Sequence, residues 1–270
     1  MSCELEAGKY TEKMSSPKPG CVILLIDRSN SMKEPWAGAG AQGQNKAVEV
    51  ANIVNEFLGL LVADCTDGGI TRDRVHFLAL GYGGTSVHNA WKDPKLAEVN
   101  GFVTAAELAQ TQEGTAGSQF IDVVAGGRTP MGLAVKTAAD YAASWVDAFP
   151  KSFPPIVMNI TDGAMTDVGE ADFRQRVHDL SSVKTSNGHA LLFNCHISAS
   201  VKDPTYRFPQ TMPAFQDRFA ALLYDVSNRL TRVMLAKARA TDIPVEEGAR
   251  GYIFNGRPQD VVNFLNIGSG

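Results

Sequence analysis

The chain has 270 residues, 44% of them hydrophobic and 20% charged, which is enough apolar material to bury a core that needs neither metal nor disulfide to form. Its 25 basic and 29 acidic residues leave a net charge of −4. That balance excludes a nonspecific polyanion binder, since such binding is driven by basic residues displacing counterions, and nucleic acid is not an expected partner.

Residues 1–20 read as a polar segment of mixed charge, without the apolar stretch of a secretion signal, ending at the turn pair Pro19-Gly20. A single domain over 21–267 follows. Residues 21–26 (CVILLI) form a continuous apolar run, the pattern of a parallel strand buried on both faces. After a glycine-rich loop over 36–43, Ala47, Val50, Val54, Phe57 and Leu61 recur at the spacing of an amphipathic helix. Residues 75–81 (VHFLALG) predict a second strand, and the break at Tyr82-Gly83-Gly84 lets 86–91 return as an antiparallel edge strand.

Residues 92–127 read as a variable insertion with helical character around 105–110. Thr129-Pro130 then opens a helix with Ala134, Ala138, Tyr141 and Trp145 on one face, Thr129 serving as N-cap and Pro130 as first residue. Residues 156–160 predict a short buried strand, and Phe173, Val177, Leu180 and Val183 mark the helix after it. Residues 190–197 (ALLFNCHI) predict another strand. Pro204, Pro209 and Pro213 mark 199–214 as a proline-rich loop without regular structure. A helical stretch over 215–240, continuous or broken, a last strand at 252–254 and a closing helix carrying Val261, Val262 and Leu265 complete the chain. The alternation specifies a doubly wound α/β fold: a mostly parallel central sheet, helices on both faces and one antiparallel edge strand. No run approaches the roughly 18 apolar residues of a membrane span, so no membrane association and a cytoplasmic location are expected.

In such a sheet the ligand crevice lies beyond the carboxyl ends of the strands, where the topology reverses. Three loops converge there: Asp27-Arg28-Ser29-Asn30-Ser31, the run 126–131 containing Thr129, and Thr161-Asp162-Gly163. Asp27, Ser29, Ser31, Thr129 and Asp162 offer two carboxylates and three hydroxyls, all hard oxygen ligands, with no sulfur or imidazole. Such a set suits magnesium, with manganese or calcium as alternatives. A shell built largely from neutral hydroxyls leaves a position exchangeable and the ion poorly neutralised, which favours an incoming carboxylate.

The pattern DxSxS, then a distant Thr and a distant Asp, each at the end of a strand, resembles the metal-ion-dependent adhesion site of von Willebrand A domains. All five positions match, and the resemblance covers roughly 21–265. It implies that Ser29, Ser31 and Thr129 contact the metal, that Asp27 and Asp162 hold it directly or through water, and that an Asp or Glu of a protein partner completes the shell. It further implies an interaction module without enzymatic activity. The absence of a leader makes the chain similar to stand-alone bacterial members found alongside protein kinases and phosphatases, so kinase- and phosphatase-linked signalling or a stress response is the expected setting.

Several neighbouring residues have two readings. Arg28, Arg128 and Lys33 adjoin the metal loops, where solvated surface charge is favoured over assistance to a partner's carboxylate. Trp36 is either an exposed interface anchor or packed beneath its loop. Asp64, Asp67 and Asp73 read as a solvated loop, having no EF-hand spacing. Cys3, Cys21, Cys65 and Cys195 contain no CxxC pair, and the five histidines are scattered, so a zinc site is not expected. The enzymatic alternative is a phosphatase of the haloacid dehalogenase type, using Asp27, Thr129, Lys136 and Asp162 with Asp167; against it, Ser29 stands where that chemistry generally places a second Asp as general acid. A scaffold with a vestigial metal site is the remaining alternative, and the intact five-residue set argues against it. Neither a GxSxG nucleophile elbow nor a GxGxxG dinucleotide turn occurs.

Overall fold

The computed structural model describes residues 9–36, 44–97, 101–111, 119–198, 202–241 and 243–269. Most of the expected glycine-rich loop, part of the 92–127 insertion and the start of the proline-rich loop lie outside these residues.

Among the described residues one sheet of eight strands carries the fold. In chain order they are β1 (Gly20–Asp27), β2 (Val75–Gly83), β3 (Ser86–Asn89), β4 (Val103–Thr104), β5 (Ile156–Thr161), β6 (Leu191–His196), β7 (Tyr206–Arg207) and β8 (Tyr252–Phe254). The spatial order is β7-β8-β6-β5-β1-β2-β3, with β4 also on β2. β8, β6, β5, β1 and β2 run parallel, and β3 closes one edge antiparallel to β2. The chain leaves β1 toward β2 and later returns to β1's other side as β5, so the topology reverses between β1 and β5. This is the doubly wound α/β class that the alternation predicts.

Successive residues of a strand face opposite sides, and β1 uses both. Val22, Leu24 and Ile26 pack under α1 (Lys46–Asp64) and, further along, α5 (Arg232–Ala240) and α6 (Pro258–Gly268). Cys21, Ile23 and Leu25 pack under α2 (Met131–Ala148), α3 (Glu170–Ser182) and α4 (Arg218–Val226). Every residue of β1 is buried, which explains the unbroken apolar run.

Three local readings change. Residues 199–214 are not wholly irregular: Tyr206 and Arg207 pair antiparallel with Phe254 and Ile253. Pro204 and Pro209 flank this two-residue edge strand, where a missing N–H costs no ladder bond. The helical stretch over 215–240 narrows to its broken alternative: two helices, α4 and α5, separated near Ser227. The N-terminal segment joins the core from Tyr10 onward: its ring meets Phe153 edge-on at 5.9 Å and its N–H donates to the Asn187 carbonyl at 2.7 Å.

The described parts of the insertion are tied down. Short helices at Pro94–Ala97 and Ala105–Thr111 bury Leu96, Ala105 and Leu108, and the Asn55 side chain of α1 accepts the N–H groups of Phe120 and Ile121 at 2.7 and 3.0 Å. Asp73, from the expected solvated acidic loop, instead accepts the Ala106 N–H at 3.0 Å. Among the described residues no helix is long and apolar enough to cross a membrane.

Candidate metal centre

β1 ends on Asp27 and β5 on Thr161, adjacent strands at the switch point, and this places the first and third loops side by side. The loop ahead of α2 is stitched onto them: Asn30 donates its N–H to the Gly127 carbonyl at 3.0 Å, and Gly126 donates to the Arg28 carbonyl at 2.7 Å. Thr129 is clamped by Thr166, whose hydroxyl accepts the Thr129 N–H at 3.0 Å while its N–H donates to the Thr129 carbonyl at 3.0 Å.

Asp27 is 1% exposed. Its Oδ1 accepts the Ser29 N–H and its Oδ2 the Thr161 hydroxyl, both at 2.7 Å. Burial pushes its carboxyl up to about 6; the hydrogen bonds from Thr161 and Ser29 oppose the rise, and the charge of Asp162 adds to it. The Ser29 and Ser31 hydroxyls are 2.9 Å apart, and Ser31 donates to Asp162 Oδ1 at 2.7 Å. The one proton of Ser31 goes to Asp162, and the Ser29 hydroxyl, which also hydrogen-bonds the Asp27 carboxylate, completes a chain of oxygens between the two acids. Gly163 faces the same space: a Cβ there would lie 3.8 Å from Ser31 Oγ and 4.0 Å from Thr129 Oγ1. Its bare backbone leaves open the gap between hydroxyls of two different loops. All five predicted residues therefore lie together at the switch point.

These residues fit a hard divalent cation. The oxygens are neutral hydroxyls and carboxylates, and among the described residues no three His, Cys, Asp or Glu side chains gather into a site, so an ion here depends on Ser29, Ser31 and Thr129 as much as on the acids.

Sequence reasoning missed Lys46. Its ammonium lies 2.6 Å from Asp162 Oδ2 and 3.3 Å from Glu34 Oε2, with the lysine side chain 1% exposed and that of Asp162 0%. A lysine opening an amphipathic helix reads as surface charge; only the fold brings it to a residue 116 positions away. Thr161, the donor to Asp27, was visible in the run Thr161-Asp162-Gly163 but not as a support. Asp167, named in the sequence only within the phosphatase alternative, has a capping role. Thr129 does not cap α2, whose N-cap position is Pro130; Asp167 reaches across from the β5–α3 loop and accepts the N–H groups of Gly132 and Leu133 at 3.2 and 2.8 Å. That leaves the Thr129 side chain free of the capping role.

Arg28 is not a solvated charge. It lies over Gly81, where a Cβ would meet its side chain at 2.4 Å, and donates to the Ala90 and Asp122 carbonyls at 3.3 and 3.4 Å; burial lowers its pKa. Lys33 and Arg128 are exposed. Trp36 is packed, not presented: it is 1% exposed and its Nε1 donates to the Gly256 carbonyl at 3.2 Å. Lys136 lies on the exposed face of α2, paired with Asp140 at 2.7 Å. Beside Thr129 a cleft of about 280 Å³ is lined by Gly84, Thr85, Arg128, Leu133, Asp167 and Arg176 among others.

No family model matches the chain, and no curated protein matches it. Among solved structures it is similar to the pilus adhesin SpaC of Lactobacillus rhamnosus GG, at 13% identity and a TM-score of 0.48, covering 96% of this chain and 31% of that one. It is similar to a von Willebrand factor type A protein from Catenulispora acidiphila, at 16% identity and a TM-score of 0.40, covering 66% and 33%. A third is the manganese-loaded TRAP protein of Plasmodium vivax, at 11% identity and a TM-score of 0.39, covering 70% and 61%. The chain spans less than two thirds of the length of each. These likenesses are too distant to add to what the sheet order and the crevice carry.

Proposed function

We propose that the chain is a von Willebrand A-type interaction module that holds magnesium in this crevice and grips an Asp or Glu side chain of a protein partner. The observation that carries the reading is the continuous oxygen array at the switch point: Ser29, Ser31 and Asp162 linked by hydrogen bonds of 2.9 and 2.7 Å, with the Thr129 hydroxyl facing them across Gly163. A bound divalent ion would supply a Lewis-acidic position open to an anionic oxygen. The protein's own part is to hold the array rigid. The Thr166 clamp fixes Thr129, the Ser29 N–H and Thr161 hydroxyl fix Asp27, and the exposed Arg128 at the adjoining cleft adds positive charge where a carboxylate would arrive.

Binding is favoured over turnover by where the lysines sit. The phosphatase reading needs Lys136 in the crevice, and it pairs with Asp140 on the exposed side of α2. The lysine that does enter, Lys46, contacts Asp162 and not Asp27, the carboxylate placed to act as nucleophile. Magnesium-dependent hydrolysis of an aryl phosphate, lost in Asp27→Ala, would reverse this choice.

The test is a pull-down with and without magnesium, comparing the chain with Asp27→Ala. A prey retained only by the unaltered chain and only with magnesium is expected. Prey retained equally by the variant, or in chelator, contradicts the proposal.

A further inference from the structure

We infer that Lys46 is a built-in counter-ion of the crevice: its ammonium neutralises Asp162 in place of a metal, weakening the hold on a divalent cation while leaving the loaded crevice positively charged toward an anionic partner. This rests on the metal reading above. The Lys46–Asp162 pair is fully enclosed, at 2.6 Å with side-chain exposures of 1% and 0%. An ammonium buried with no counter-charge is expensive, and a well-placed carboxylate offsets that cost. Its position is set from both sides. The Asn45 side chain caps α1 by accepting the Val48 N–H at 2.9 Å, and the Lys46 N–H donates to the Glu34 carbonyl at 3.0 Å. Glu34 in turn donates its N–H to the Ser31 carbonyl at 3.0 Å, so the lysine is anchored to the loop that presents Ser29 and Ser31.

The charge arithmetic gives the inference its consequence. With both carboxylates ionised, Asp27, Asp162 and Lys46 leave one formal negative charge, and a divalent cation turns that into one positive charge. Without Lys46 the empty crevice would carry two negative charges and the loaded one none. Lys46 thus trades metal affinity for attraction of a partner carboxylate, and it holds Asp162 compensated when no metal is bound. Glu34, 59% exposed and 3.3 Å from the ammonium, offsets Lys46 from the solvent side. It does so weakly, because exposed charges are screened.

Calorimetric titration with magnesium chloride alone tests this on the folded chain, on Lys46→Met and on Glu34→Gln. Lys46→Met, which keeps an unbranched side chain one atom shorter and removes its charge, is expected to bind magnesium at least tenfold more tightly, to melt at a lower temperature without metal, and to gain more on adding it. Glu34→Gln is expected to bind two- to threefold more weakly. A purely structural role for Lys46 predicts no gain in metal affinity. Wild-type binding with no tightening in folded Lys46→Met overturns the inference alone; no binding heat in any of the three overturns the metal reading as well. Should Lys46→Met fail to fold, Glu34→Gln decides, and unchanged or tighter binding there is the overturning result.

Discussion

Two networks of polar side chains are buried in the sheet, and they close their hydrogen bonds differently. In one, Tyr82 of β2 donates to Asn159 of β5 at 2.8 Å, Asn159 donates to Asn194 of β6 at 3.0 Å, and Asn194 donates to Ser227 at 2.9 Å. Ser227 ends the run by donating to the Leu223 carbonyl at 2.7 Å. All four side chains are fully buried and neutral, and burial raises the Tyr82 hydroxyl well above its ordinary pKa, which keeps it a donor. In the other the network is charged: the Ser31 hydroxyl donates to Asp162 and the Thr161 hydroxyl to Asp27, each at 2.7 Å. Buried polarity alone therefore marks nothing about function. A closed neutral chain specifies packing across strands, whereas hydroxyls linking buried carboxylates are the arrangement proposed above to hold an ion.

The largest expected effect breaks the closed network. Asn159→Ala removes the acceptor of Tyr82 and the donor to Asn194 together, leaving two buried groups unpaired at about 1–3 kcal/mol each. Unfolding in denaturant is expected to show a loss of about 4 kcal/mol. A loss under about 1 kcal/mol would mean the network is incidental.

A somewhat smaller effect, of opposite sign, belongs to the charged network. The folded chain holds the Asp27 proton up to about pH 6, where the unfolded chain, at the ordinary value of 3.8, has released it. The contribution of Asp27 to stability without metal is therefore greatest below about pH 4 and is lost as pH rises through 6, by about 3 kcal/mol. Asp27→Asn stays neutral, and Thr161 can turn its hydroxyl toward the Gly163 carbonyl, already 3.3 Å away. In magnesium-free buffer near neutral pH the variant is expected to be more stable by about 3 kcal/mol, with the advantage gone near pH 4. A pH-independent difference would show that Asp27 is not strained by its burial. Smallest is Trp36→Phe, which gives up the bond to the Gly256 carbonyl while keeping most of the packing; about 1 kcal/mol is expected, with magnesium binding unchanged.

The same contrast explains what could be read from the sequence. The strands were legible because burial on both faces leaves apolar runs, and the five crevice residues because each follows such a run or opens the next helix. Asn159 and Asn194 were visible as polar letters inside IVMNIT and LLFNCH but were not recognised as a pair, since only the parallel register of β5 and β6 sets them opposite each other. Lys46 and Asp167 were illegible for the same reason. Each acts on a residue distant in sequence, and its local pattern, a charge near a helix start or in a turn, has an ordinary surface explanation. Arg28 was misread because the nearby glycine that admits its side chain, Gly81, belongs to another strand.

The central claim is that the five oxygens bind a divalent ion, and thermal unfolding of the chain, Asp27→Ala and Thr129→Ala across a magnesium titration tests it most directly. A melting temperature that rises with millimolar magnesium in the unaltered chain and stays flat in both variants is the predicted result. No rise in the unaltered chain, or an equal rise in all three, contradicts it.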